Sequence, residues 1–134
     1  MVELEEQMEM KAMRVLIVED EKINAMVIEA MLGKIGHDVH LADNGRQALQ
    51  KAGQQEFDLI FMDIQMPELD GLETTQAIRT TALERNRRVP IIALTAHAMK
   101  GDRERFMAAG MDGYLVKPVD INRLLEVLER FQGD

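Results

Sequence analysis

The chain has no cysteine and no tryptophan, and only one tyrosine, four phenylalanines and three prolines among its 134 residues. The missing cysteines exclude a disulfide framework, a thiolate metal site and a thiol nucleophile, and they fit a reducing compartment. So few aromatic faces cannot build a base-stacking platform. Positive charge is also short. Sixteen Lys and Arg against 24 Asp and Glu leave a formal charge of −8, which repels a phosphate backbone at long range and makes nucleic acid a poor partner. No apolar run approaches the roughly 20 residues of a membrane span, so no membrane contact is expected. The opening, with Glu3, Glu5, Glu6 and Glu9 against Lys11, lacks the basic start of a signal peptide.

What remains is an ordinary globular composition, 46% hydrophobic and 30% charged, at a length that suits one domain. A fold of this size removes about 68% of the unfolded chain's surface from water, enough to need no metal or disulfide staple. Residues 1–12, MVELEEQMEMKA, are strong helix formers and read as an acidic N-terminal extension or linker remnant. The domain is expected over residues 13–134.

From Val15 the chain alternates short apolar runs with stretches of helical period. Val15 to Val18 form a continuous apolar run, as a strand covered on both faces should. Ile23, Met26, Val27, Ala30, Met31 and Ile35 predict a helical stripe facing the sheet, with Gly36 ending the helix. Val39 and Leu41 alternate with polar neighbours and predict a shorter, more exposed strand, followed by a helix capped by Asn44 and carrying Ala48, Leu49 and Ala52. Leu59 to Met62 is the next buried run. Pro67 and Gly71 bracket a loop before a helix with Leu72 and Ile78, and Val89 to Leu94 is the fourth strand, with Pro90 near its start. Met99, Phe106 and Met107 mark a helix. Tyr114 to Val116 form the last strand, and Ile121, Leu124, Leu125 and Leu128 the last helix. Five strand–helix pairs imply right-handed crossovers and a parallel sheet with helices on both faces.

In such folds ligands sit beyond the carboxyl ends of the strands. Those ends carry Glu19 and Asp20, then Asp63, Thr95 and Lys117. Three carboxylates at one edge repel and raise one another's pKa unless a cation intervenes, and an all-oxygen ligand set with room for water suits Mg²⁺. Lys117 adds a second cation. A carboxylate held between metal and ammonium presents an oxygen able to attack an electrophilic phosphorus.

The stretches VLIVEDE, FMDIQMPELDG, PIIALTA and GYLVKP, in that order, resemble the receiver domain of two-component response regulators over residues 13–131. The resemblance implies a doubly wound, flavodoxin-like (βα)5 sandwich with strand order 2-1-3-4-5. It makes Asp63 the phospho-acceptor, taking its phosphoryl group from a phosphohistidine of a histidine kinase or histidine phosphotransfer domain. By the same resemblance Asp20 and Asp63 ligate Mg²⁺ directly, with Mn²⁺ as a substitute, Glu19 holds the ion through water, and the backbone carbonyl of Gln65 completes the ligands. Thr95 and Lys117 contact phosphoryl oxygens, so the domain catalyses its own phosphorylation and a slow autodephosphorylation. Thr95 and Tyr114 form a switch that remodels the face around the fourth helix and fifth strand. Lys117–Pro118 is expected to be cis.

The same site admits two other readings. A receiver-like interaction module would share the fold without phosphotransfer. A haloacid-dehalogenase-type phosphatase would also use an Asp nucleophile with Mg²⁺, but it wants an acid where Gln65 stands. Neither G-x-G-x-x-G nor G-x-x-x-x-G-K-[ST] is present to suggest a nucleotide site.

His37 and His40 read as surface residues flanking the second strand. His97, two beyond Thr95, is expected to border the site and, with Gln65, to tune dephosphorylation. Met26, Met31 and Met62 are expected in the core, Met66 and Met99 on the surface, and Arg85, Arg87 and Arg88 in a solvated loop. Met66–Pro67, Asn24 and the TAHAM stretch look most like receivers attached to hybrid sensor kinases. The sequence stops after the fifth predicted helix, as expected of a single-domain regulator or of a receiver excised from a longer protein, and the acidic opening suits excision. The expected compartment is the cytoplasm, and a homodimer is compatible with the family.

Overall fold

The computed structural model describes residues 11–131. Residues 1–10 of the acidic extension and residues 132–134 lie outside the described residues. Five strands, β1 (Arg14–Val18), β2 (Asp38–Ala42), β3 (Leu59–Asp63), β4 (Ile91–Thr95) and β5 (Gly113–Val116), form one parallel sheet in the order β2-β1-β3-β4-β5. Five helices connect and flank them: α1 (Lys22–Ile35), α2 (Gly45–Ala52), α3 (Gly71–Thr81), α4 (Asp102–Ala108) and α5 (Ile121–Phe131), with a 3₁₀ turn at Glu84–Arg88 before β4. This is the doubly wound topology expected from the sequence. Among the described residues no helix is long and apolar enough to cross a membrane.

Strand alternation divides the core in two. Val15 and Ile17 of β1 point with Phe61 and Ile92 toward Ile28 and Leu32 of α1 and Leu124 and Leu128 of α5. Leu16 and Val18 point with Ile60 and Met62 to the other face, where Ala48 of α2, Ile78 of α3 and Phe106 of α4 cover them. All of β3 and β4 is buried, while the edge strands β2 and β5 keep partly exposed residues. β2 is as long as β1, with 5 residues, and is more exposed but not shorter.

The helix ends follow local chemistry. Gly36 ends α1 at φ 103°, where its N–H and that of His37 both reach the Leu32 carbonyl. The Asn44 side chain accepts from the Gln47 N–H at 2.9 Å to start α2. Asp70 and Glu73 exchange side-chain and backbone bonds as a capping box at α3.

Four further expectations fail. The stripe on α1 is rotated: Ala25, Ile28 and Leu32 are buried, while Ile23, Met26 and Val27 are 76%, 54% and 45% exposed. This helix is apolar on nearly every side, so period alone does not fix its rotation, and Met26 leaves the core with the stripe. Met66 is buried against the α2–α3–α4 side because the chain turns back over the sheet after Asp63. His37 is buried too, since its Nδ1 accepts the Met13 N–H at 3.0 Å and carries the β1–β2 pairing one residue further.

Candidate functional site

A parallel sheet brings every strand's carboxyl end to one edge, and here that edge gathers the acids. Glu19 and Asp20 directly follow β1, Asp63 closes β3, Thr95 closes β4 and Lys117 follows β5. Glu19 and Asp63 are buried, with 2% exposure each, while Asp20 faces solvent. One carboxylate oxygen from each of the three lies within 4.8 Å of the others. Lys117 Nζ stands 3.1 Å from Glu19 Oε1 and 3.2 Å from Asp63 Oδ1. The peptide bond between Lys117 and Pro118 is cis.

Backbone donors fix the acids. The Gln65 N–H donates to Asp63 Oδ1 at 3.2 Å, and the Glu21 N–H donates to Glu19 Oε2 at 3.1 Å. The cleft above them, about 370 Å³, is lined also by Asn24, Ala96 and Pro118. Glu21 and Asn24 escaped the sequence reading of the site, since nothing in residue type marks a loop amide that orients the carboxylate two positions earlier.

Electrostatics follow from burial and crowding. Burial first, then hydrogen bonding with Glu19 and Asp20 and the charge of Glu19, push the Asp63 carboxyl up to about 8, and Lys117 only partly offsets this. Burial opposes charge on Lys117 as well, but its bonds and charge contacts with Glu19 and Asp63 outweigh it and hold the ammonium above its ordinary pKa. Three close carboxylate oxygens served by one ammonium form an under-neutralised site. Oxygen donors in this number and spacing fit a small divalent cation that keeps part of its water.

Thr95 and Tyr114 make their side-chain contacts, and His97 its hydrogen bonds, with residues outside the acid–lysine set. The Thr95 hydroxyl donates to the His97 carbonyl at 2.7 Å, and the His97 N–H returns to Thr95 Oγ1 at 3.3 Å. The Tyr114 ring is 39% exposed and lies edge-on to Phe106, with centroids 6.1 Å apart. Gln65, which lines the cleft, and His97 are both exposed.

Comparison with known proteins agrees with this geometry. The signal transduction histidine-protein kinase BarA of Escherichia coli strain K12 is 43% identical over 121 residues, covering 90% of this chain and 13% of BarA, so the chain spans a small part of that relative. The receiver domain of sensor histidine kinase PA1611 from Pseudomonas aeruginosa PAO1, solved with magnesium in its active-site cleft, is 46% identical with a TM-score of 0.82, covering 92% of this chain and 100% of that one. The receiver domain of Ssk1 from Saccharomyces cerevisiae, solved with the histidine phosphotransfer protein Ypd1, is 31% identical with a TM-score of 0.81, covering 90% of this chain and 89% of that one. With the family model of the response regulator receiver domain matching residues 15–129 and the acid–lysine cluster standing at the predicted sheet edge, the chain belongs to the receiver domain family.

Proposed function

We propose that residues 13–134 form a phospho-accepting signalling unit in which Asp63 receives a phosphoryl group from a phosphohistidine of a histidine kinase or histidine phosphotransfer domain. The observation that carries this reading is the placement of Asp63, buried beside two further acids with one oxygen held by Lys117 Nζ and the Gln65 N–H. In the transfer, an Asp63 carboxylate oxygen forms a bond to phosphorus as the phosphorus–nitrogen bond breaks, and the donor imidazole leaves with the electron pair. Asp20 and Asp63 would hold Mg²⁺ directly, with Glu19 through water and the Gln65 carbonyl as a further ligand, and Mn²⁺ would serve in its place. The bound ion would supply positive charge opposite the carboxylates and the transferring oxygens.

The chain's own donors do the rest. Lys117 moves from its carboxylate partners to a phosphoryl oxygen, where preorganised charge favours the transition state. The domain thus catalyses its own phosphorylation, and a slow hydrolysis, tuned by Gln65 and His97 at the rim, returns it to the resting state. Thr95 leaves the His97 carbonyl for the phosphoryl group, and Tyr114 turns inward from its exposed position. Phosphate contacts favour one of two packings of the α4–β5 face and so shift its population. Ile23, Met26 and Val27, exposed on α1 next to Asn24 of the cleft, offer the donor protein an apolar face beside Asp63. The unit works in the cytoplasm, and a homodimer through the switched face fits the same scheme.

The test is intact mass after exposure to phosphoramidate or acetyl phosphate, with Mg²⁺ or EDTA, on the parent and Asp63→Asn. A gain of one phosphoryl group that needs both Mg²⁺ and Asp63 supports the proposal. Undiminished labelling of Asp63→Asn overturns it, and no labelling of the parent would favour a silent interaction module.

A further inference from the structure

Two side chains at the start of α1 line the cleft above Asp63 without belonging to the acid–lysine cluster: Glu21, which is exposed, and Asn24, which is half-buried. Glu21 is the N-cap of α1, yet its carboxylate makes no capping bond to the helix amides. Its backbone N–H donates to Glu19 at 3.1 Å. Among the described residues its carboxylate accepts one hydrogen bond, from Asn24 Nδ2 to Oε2 at 3.5 Å. The carboxylate is therefore not engaged in starting the helix, and its backbone is anchored beside the cleft.

Its place bears on the group that leaves. Asp63 lies at the buried floor, and attack on phosphorus sets nucleophile and leaving atom roughly in line, so the leaving group points out through the mouth. Among the described residues, four charged side chains line the cleft: Asp20, Glu21, Asp63 and Lys117. In the phosphotransfer reading, on which this inference rests, Asp63 is the nucleophile, Asp20 faces the cation and Lys117 a phosphoryl oxygen. Glu21 is the charge that remains to face the leaving group. We propose that Glu21 is a specificity-determining residue, favouring phosphoryl donors that leave from a cationic nitrogen group over acyl phosphates. With a protonated phosphoramidate, the phosphorus–nitrogen bond breaks as the bond from the Asp63 oxygen to phosphorus forms, and the electron pair neutralises the nitrogen. The residual positive charge in that transition state is attracted by Glu21. With an acyl phosphate, the phosphorus–oxygen bond breaks instead and its electron pair leaves on a carboxylate, whose growing negative charge Glu21 repels.

The test compares second-order labelling rates of the full chain by phosphoramidate, which loses ammonia, and by acetyl phosphate, which loses acetate. Labelling is read by intact mass, with Mg²⁺ saturating for each protein as set by calorimetric titration. Effects on the nucleophile, the cation and the fold are common to both donors and cancel in the ratio of the two rates. Glu21→Gln is expected to lower the ratio of phosphoramidate to acetyl phosphate labelling about 3- to 10-fold, the scale of one unit charge acting across a solvated cleft. Glu21→Lys should lower it further, Glu21→Asp should keep most of the parent's preference, and added salt should shrink the difference between parent and Glu21→Gln. A ratio that both Glu21→Gln and Glu21→Lys leave unchanged or raise overturns the proposal while leaving Asp63 as the acceptor. Labelling of the parent by neither donor overturns the phosphotransfer reading and this inference with it.

Discussion

Lys117 Nζ bridges two buried carboxylates that come from different strand ends, lying 3.1 Å from Glu19 and 3.2 Å from Asp63. It is the cation closest to the acids in the described structure, and it competes for the oxygens that a divalent ion would use. Lys117→Ala is therefore expected to leave Mg²⁺ affinity intact or raised, as measured by calorimetric titration. Phosphorylation by acetyl phosphate should slow on the order of 10²-fold, the usual cost of removing one preorganised donor from a charged transition state. An unchanged rate would show that the ammonium merely holds the acids together.

The raised Asp63 carboxyl makes a prediction about pH. Its pKa rises from 3.8 in the unfolded chain to about 8 in the fold, so between those values the folded state binds more protons. Stability then falls as pH rises through this window, in the absence of metal. Asp63→Asn removes the contribution. The variant should unfold at higher urea than the parent at pH 7 in EDTA, by roughly 1–3 kcal/mol, with the difference closing toward pH 4. Added Mg²⁺ should stabilise the parent more than the variant, because a ligand stabilises in proportion to its affinity for the native state. Parallel urea curves across this range would refute the crowding argument.

The sheet and the acids are legible in the sequence for one reason: both depend on position along the chain. Runs such as Leu59 to Met62 must be strands covered on both faces, and the residues just after each run must lie at one edge. Features that depend on side-chain direction are not legible in the same way. The rotation of α1 needs more than period, because Ile23, Met26 and Val27 make as good a stripe as Ala25, Ile28 and Leu32. Met66 lies next to Pro67 in a loop segment that looks exposed but folds back over the core. The capping box at Asp70 and Glu73 went unread in the sequence, where only Pro67 and Gly71 marked this helix start, although its spacing is a recognised signal.

His37 departs from its expected surface position because its Nδ1 is a buried acceptor for the Met13 N–H, whereas a histidine beside a glycine normally lies in a solvated turn. Burial holds its pKa below 6.5, so the neutral ring contributes stability that is complete above that value. The contribution is lost as pH falls through the lower folded pKa. His37→Ala should cost about 1–3 kcal/mol at pH 7.5 by leaving the Met13 N–H without its acceptor. The variant should also lose part of the parent's decline in melting temperature between pH 7 and pH 5. An equal decline in both proteins would exclude His37 as the titrating group.

Gly71 and Gly33 should respond to alanine with opposite signs. A Cβ on Gly71 would collide with the Asp63 carbonyl oxygen and press on the Ile64 backbone at 2.9 Å, where α3 starts hard against the end of β3. Backbone cannot yield there as a flexible side chain would. Gly71→Ala is expected to cost about 1–3 kcal/mol, the range for overpacking, and to slow phosphorylation by displacing the Gln65 N–H from Asp63. Gly33 lies inside α1 with no atom within 4 Å of an added Cβ. There alanine lowers the entropy of the unfolded chain and favours the helix, for a gain of about 0.4–1 kcal/mol. Urea unfolding of the two variants, with acetyl phosphate labelling rates alongside, reads both effects. A Gly71→Ala protein with parental stability and labelling would mean that the contact between α3 and β3 is not needed to hold Asp63 in place.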